Sequence, residues 1–504
     1  MEHDRGSRDD LTRIDLALVG GRVIDPESGL DASTDVGVSG TQITHVGAPL
    51  PPARRTIDCA GLVVAPGFID LHSHAQSLMG ARLQALDGVA TAVDLECGVL
   101  SVGAWYELMA AQGRPINYGY SASWATARAH ALLGASITPG THGTGFDTFA
   151  ALVRMPSWQR PIDDGEIARV LELLGQELGQ GALGIGTLLG YLPDSSPDEL
   201  LGIAGLAARS GTAAIVHSRS SAREGPMTAL DSAMELIDAA EGTGAHVHLC
   251  HVNSTSSSWM NEIIEAIENA RARGVRITTE AYPYERGSTV IGAAFLSPEE
   301  LRREGRGPSS LIYAATGVTV RDEAQLEDLR ARDPGGIVMT LTQDLADSHE
   351  AALLDRALTI PGAAFASDAM PVAVPALLED QWPPPTRALV HPRSAGCFSR
   401  VFGSLVRERG LLSLPDAVRR CTLVPADILA ATAPAMRAKG RIRVGADADI
   451  VAFDPDVITD RATYTHLEAS SGVQHLLVAG TAVVARGELL LGALPGRAIV
   501  GRRG

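Results

Sequence analysis

Lysine is almost absent from these 504 residues: Lys439 stands alone, and arginine carries the rest of the positive charge. We read this as the codon bias of a GC-rich genome. It excludes any role for a lysine amine outside the C-terminal region. Cysteine is scarce too, with five residues at 59, 97, 250, 397 and 421. Their odd number and wide scatter argue against a disulfide framework, and no CxxC pair suggests a zinc knuckle. No run of about 18 apolar residues is present, so no membrane span is expected. The stretch Met1–Asp10 is polar and charged, without the apolar core of a secretion signal, and a reducing cytoplasm is the expected location. The net charge of −17 would repel phosphate backbones and anionic lipid, which argues against nucleic-acid and membrane-surface roles. What is there is ordinary for a soluble globular chain: 45% hydrophobic and 20% charged residues, and ample length for a large core.

Residues 15–64 read as short strands broken by turn residues, a small β-structure. From Pro66 short apolar runs alternate with helical stretches. The expected strands are Gly67–His74, Thr91–Glu96, Ile116–Ser121, Leu183–Thr187, Ala213–His217, His246–His251, Arg276–Glu280 and Ala363–Ser367. Helices are expected over Ile167–Leu178, Pro197–Ala208, Leu230–Ala240 and Asn261–Ala272. Eight such repeats predict an α/β fold, a (β/α)8 TIM barrel. A long Arg-, Glu- and Gly-rich segment at about 289–360 reads as an inserted lid. After residue 437 the β character returns. The expected domains are a composite β-sandwich from 1–66 and 437–504, with the barrel (67–436) inserted between its halves.

The strongest chemical signal is Pro66-Gly-Phe-Ile-Asp-Leu-His-Ser-His74. Residues i and i+2 of a strand share a face, so His72 and His74 should project together where barrel active sites sit. His217, His251 and Asp368 each end another expected strand. Four histidines and an aspartate at one end of a barrel suit a divalent cation. His246 and His248 share a strand with His251 and read as structural or supporting residues.

On these motifs the chain resembles the amidohydrolase superfamily, and within it the N-acyl-D-amino-acid deacylase (D-aminoacylase, D-glutamate deacylase-like) branch. The resemblance runs through His217-Ser-Arg219, Ala281-Tyr-Pro-Tyr284, Gly287-Ser-Thr289, Ser367-Asp368, His391-Pro-Arg393, Val444–Asp454 and Leu494-Pro-Gly-Arg497. It implies a barrel hydrolase holding one or two Zn2+ ions, although such a ligand set also accepts cobalt or manganese. A carboxylated lysine bridges the metals in many members, but Lys439 falls in the C-terminal β region. The remaining candidates for the bridge are Glu96 and Cys97. Relatives with an Asn-Cys-Gly pattern use the cysteine, and others with an acidic-Leu-Glu pattern use the glutamate. Alternation places Asp94 and Glu96 on one face and Val93 and Leu95 on the other, which favours Glu96 pointing into the barrel.

The resemblance further implies deacylation of an N-acyl-D-amino acid or related acylated amine. A metal lowers the pKa of bound water from ~15.7 towards ~7. Asp368 would take the proton of that water and return it to the leaving nitrogen. Arg393 matches the arginine that holds the substrate carboxylate, and Tyr282 and Ser288 match neighbouring contacts. The family's lysine two residues after the second single histidine is replaced by Asn253, and Arg219 or Arg286 would have to compensate. The expected partner is thus a small acylated molecule, with a homo-oligomer possible. The strand His246-Val-His-Leu-Cys-His251 also resembles that of dihydroorotase, so cyclic amide hydrolysis is an alternative. A non-catalytic barrel scaffold is a third.

Overall fold

The computed structural model describes residues 13–135, 144–374, 378 and 380–503. The chain opens with β1 (Ile14–Asp25), β2 (Leu30–Ser39), β3 (Gln42–Val46), β4 (Ala53–Asp58) and β5 (Val63–Pro66). β1 is largely buried, β2 is buried only towards its end, and β5 is buried throughout. The closing strands are β18 (Ile450–Phe453), β19 (Val473–Val478), β20 (Thr481–Ala485) and β21 (Glu488–Leu489), separated from the first group by the whole barrel. Both groups form one sheet, in the order β21-β20-β19-β18-β5-β1-β2-β3, with β4 on β1. The ends of the chain meet where β5 pairs antiparallel with β18, Val64 opposite Ala452.

The only lysine serves this junction. Lys439 Nζ lies 2.6 Å from Asp449 Oδ2 and 2.9 Å from Asp447 Oδ2, and is buried. Asp449 also accepts from Asn117 of the barrel at 2.9 Å. The ammonium is taken from water, but its two carboxylates keep it charged.

The barrel strands are β6 (Phe68–Asp70), β7 (Val89–Val99), β8 (Asn117–Ser123), β9 (Ile185–Leu188), β10 (Ala213–His217), β11 (His246–Leu249), β12 (Ile277–Ala281) and β17 (Ala364–Phe365). They form one parallel sheet in that order. The ring closes between its first and last members, where Ser73 bridges Ala369 and the His74 amide donates to Ala369 O at 2.7 Å. The expected helices all form, each extended by its caps. Asp163 and Glu166 make a capping box that starts one helix at Asp164, and Ser196 caps a helix with Pro197 in its first turn.

Inside the barrel Ile69, Leu71, Val93, Leu95, Leu183, Ile215, Cys250 and Ala364 form one apolar layer, capped by Val424, Ala426 and Leu429. The inserted segment carries more structure than its composition suggests. It contains β13 (Arg286–Val290), β14 (Leu311–Tyr313), β15 (Val318–Thr319) and β16 (Ile337–Leu341), a separate antiparallel sheet ordered β13-β16-β14-β15. No helix among the described residues is long and apolar enough to cross a membrane.

Candidate metal centre and active site

Above the apolar layer the barrel turns polar, and four local devices bring the histidines and carboxylates together. The first strand ends at Asp70, whose carboxylate is pinned by the Ser367 amide at 2.9 Å and Gln84 Nε2 at 2.8 Å. Just beyond it, His72 Nε2 and His74 Nε2 stand 3.1 Å apart. His217 closes β10, and only glycine fits opposite: a Cβ on Gly190 would lie 2.6 Å from the imidazole. His251 and Asp368 follow their strands in the left-handed region, at φ 30° and 50°. For residues with a side chain that conformation is costly, and it clusters at functional sites. At His251 it turns the imidazole to the centre, 5.4 Å from the His72 ring and 4.7 Å from the His217 ring.

The fourth device corrects the alternation argument. Val93 and Leu95 do not face the helices; they pack in the inner layer with Ile215 and Leu183. The ladder between β7 and β8 breaks register between Asp94 and Val99, and Gly98 takes φ 62°. The break is a bulge, which re-aims side chains, and Glu96 reaches the centre through it. Its Oε1 lies 2.9 Å from His217 Nδ1 and 2.8 Å from His251 Nε2, and its Oε2 3.2 Å from His72 Nε2 and 3.5 Å from His74 Nε2. Cys97 goes elsewhere. Its thiol sits in the outer packing, 3.8 Å from Gly145 O, and burial pushes its pKa well up, so it stays neutral.

The charges support one another. Burial opposes ionisation of Glu96, but His72, His217 and His251 outweigh it and hold the carboxyl well below the usual range. Burial likewise opposes a charged His72, and Glu96, Asp368 and Glu280 more than compensate. His74 is raised to about 9 because Asp94 overcomes its burial. His217 is lowered, since burial prevails there.

Two carboxylates that the motifs did not single out hold the far sides of the rings. Glu280 Oε1 takes His72 Nδ1 at 2.5 Å and its Oε2 takes His248 Nε2 at 3.1 Å. Asp94 Oδ1 takes His74 Nδ1 at 3.1 Å. A carboxylate behind an imidazole fixes its tautomer and aims the other nitrogen. Their positions at barrel-strand ends were the available signal.

Donor atoms of His72, His74 and Glu96, of Glu96, His217 and His251, and of His72, His251 and Asp368 each lie within 4.8 Å of one another. Imidazole nitrogen and carboxylate oxygen are donors that suit zinc, and adjoining sets sharing Glu96 have room for one ion or two. Asp368 Oδ1 faces His72 and His74 at 3.5 and 3.6 Å, while Oδ2 takes Arg393 Nη2 at 2.8 Å.

The expected substrate contacts divide. Tyr282 and Ser288 line a cavity of ≈ 630 Å³ that opens onto Glu96, His217, His251 and Asp368. The Tyr282 ring lies under the Arg393 guanidinium at 4.4 Å. Arg393 itself is buried behind Asp368. Asn253 is buried, its Oδ1 accepting from the Tyr282 amide at 3.2 Å. Arg219 borders the cavity but is fully engaged by Glu235 at 2.8 Å and by Pro193 O and Ser195 O at 2.8 Å. Arg286 faces the other way, onto Ser310 O and the Tyr464 ring. Neither arginine replaces the missing lysine here.

A closed parallel barrel with a His/Glu/Asp cluster at one mouth defines a metal-centre hydrolase architecture. The chain belongs to the amidohydrolase family, whose pattern matches residues 55–484. It is 30% identical to an N-acyl-D-glutamate deacylase of Alcaligenes xylosoxydans xylosoxydans over 94% of either chain. It is 28% identical to a D-aminoacylase of the same organism, over 95% of this chain and 96% of that one. The crystal structure of an N-acyl-D-glutamate deacylase from Bordetella bronchiseptica, complexed with zinc and a phosphonate inhibitor, superposes with a TM-score of 0.75. The two are 25% identical over 97% of this chain and all of that one.

Proposed function

We propose that this chain is a zinc-dependent deacylase that hydrolyses the amide of an N-acyl-D-amino acid or a related acylated amine. The observation that carries the reading is Glu96, set among four imidazoles at the base of a cavity wide enough for such a molecule. His72, His74, Glu96, His217, His251 and Asp368 would hold one or two zinc ions. Zinc bound there supplies an activated water and a Lewis acid for the scissile carbonyl.

The chain's own residues do the rest. Glu280 and Asp94 keep His72 and His74 aimed at the centre. Asp368 presents Oδ1 to the centre while Arg393 fixes Oδ2, so one oxygen is free to take a proton and pass it to the leaving nitrogen. Tyr282 and Ser288 offer polar contacts on the cavity wall. In this reading Cys97 is a packing residue, and Arg393 serves Asp368 as well as any carboxylate of the substrate. The catalytic unit is the barrel, 67–436 with its lid, and the ends at 1–66 and 437–504 brace it. The setting is the cytoplasm, the partner a small molecule rather than a nucleic acid, and a homo-oligomer is compatible.

The test is hydrolysis by the zinc-loaded protein of N-acyl-D-amino acids, hydantoins and dihydropyrimidines side by side. Deacylation that Asp368→Asn abolishes while zinc content persists supports the reading. Ring opening without deacylation would replace it with cyclic amide hydrolysis. Failure to retain zinc under metal-replete conditions would point to a scaffold.

A further inference from the structure

The wall of the cavity nearest the histidines is aromatic. Phe146 stands 5.2 Å from the His74 ring, and Tyr191 lies 5.1 Å from His217. Phe295 stacks on His217 at 6.0 Å and 21°, and meets Tyr191 at 5.3 Å. The Tyr191 hydroxyl is paired with Thr289 Oγ1 at 2.5 Å. This side of the site therefore presents mainly ring carbon.

The guanidiniums on the cavity wall already have partners. Beyond Arg219, held by Glu235, the cations are Arg303, Arg306 and Arg330. Arg303 pairs with Glu299 at 2.6 Å and Glu300 at 2.7 Å, and Arg306 with Glu304 at 3.3 Å. Arg330 donates to Ile291 O and Ala293 O at 2.6 and 2.7 Å. Asp194 and Glu224 add negative charge to the same wall. A second carboxylate on the substrate would be desolvated against aromatic rings, meet only guanidiniums already engaged by carboxylates or backbone carbonyls, and face like charges.

Resting on the deacylase reading, we infer that this site takes N-acyl-D-amino acids with aliphatic or aromatic side chains and discriminates against acidic ones, although one relative at 30% identity is named an N-acyl-D-glutamate deacylase. The cavity of ≈ 630 Å³ leaves room for a large side chain beside the acyl group.

The test is kcat/KM of the zinc-loaded full chain on N-acetyl-D-leucine, N-acetyl-D-phenylalanine, N-acetyl-D-glutamate and N-acetyl-D-aspartate. The apolar pair is expected to exceed the acidic pair by tenfold or more. Glutamate or aspartate turned over as well or better would overturn this inference and leave the deacylase reading standing. No turnover of any of the four would overturn both. As a second measurement, Phe295→Ala is expected to narrow the leucine-to-glutamate ratio by about tenfold. A ratio that does not move would remove the aromatic wall as its source.

Discussion

Arg393 closes on Asp368: Nη2 sits 2.8 Å from Oδ2, with the Tyr282 ring backing the guanidinium at 4.4 Å. Both partners are buried, so removing either would leave the other's charge uncompensated. Arg393→Lys keeps the charge and loses the planar fork. It is expected to cut kcat/KM by roughly ten- to a hundredfold. Arg393→Met should destabilise the fold by about 3–5 kcal/mol, the usual cost of orphaning one member of a buried pair. Steady-state kinetics and thermal melts check the two. A lysine variant with full activity would dismiss the fork.

Glu96 and Cys97 are neighbours with opposite fates, and a pair of variants separates them. Glu96→Gln removes the charge that four imidazoles share. It is expected to lower bound zinc and reduce kcat by at least about a hundredfold. Cys97→Ala should cost no more than about 1–2 kcal/mol of packing and leave metal content alone. Elemental analysis of both proteins decides; zinc loss in the cysteine variant would reverse the assignment.

Glu280 touches His72 rather than the centre itself. Glu280→Gln can still accept one hydrogen bond but brings no charge. Zinc affinity should fall by about 10–100-fold, the common cost of losing the carboxylate behind a ligating imidazole. Competition with a chelator measures this directly. Unchanged affinity would leave Glu280 as a packing residue.

His246 lies low in the barrel, its Nε2 2.8 Å from Thr278 Oγ1. Burial, then His248 and Arg276, depress its pKa from the ordinary 6.5 to about 3. Below pH 6.5 the unfolded chain protonates here and the folded one does not, so stability is lost as the pH falls from about 6.5 towards 3. At pH 5 the loss is about 2 kcal/mol. His246→Gln should flatten that part of the stability profile in melts taken from pH 8 to 4. A parallel profile for both proteins would rule the group out.

The barrel and most of its polar rim were legible because they depend on local pattern. Strand-end residues such as His217 and Asp368 follow short apolar runs, and Pro66–His74 announces its own strand. What was not legible depends on distant register. Glu280 meets His72 across 208 positions of sequence, and nothing near either residue encodes the meeting. The inward turn of Glu96 came out of a bulge, for which Gly98 inside a strand was the one local sign. Arg219 was a reasonable candidate by position, yet Glu235, a helix away, had already claimed it. The sheet within the lid stayed hidden because its strands are two to five residues long, too short for alternation to register.

With its one ε-amine locked between Asp447 and Asp449, the folded protein shows no lysine to the outside. Amine-directed crosslinkers and labels have no side chain to find on its surface. A lysine-specific protease has a single internal cut to make, and can make it only when the two ends of the chain part from the barrel. Cleavage at Lys439 thus becomes a one-site clock for the opening of that seam, readable on a gel as two fragments.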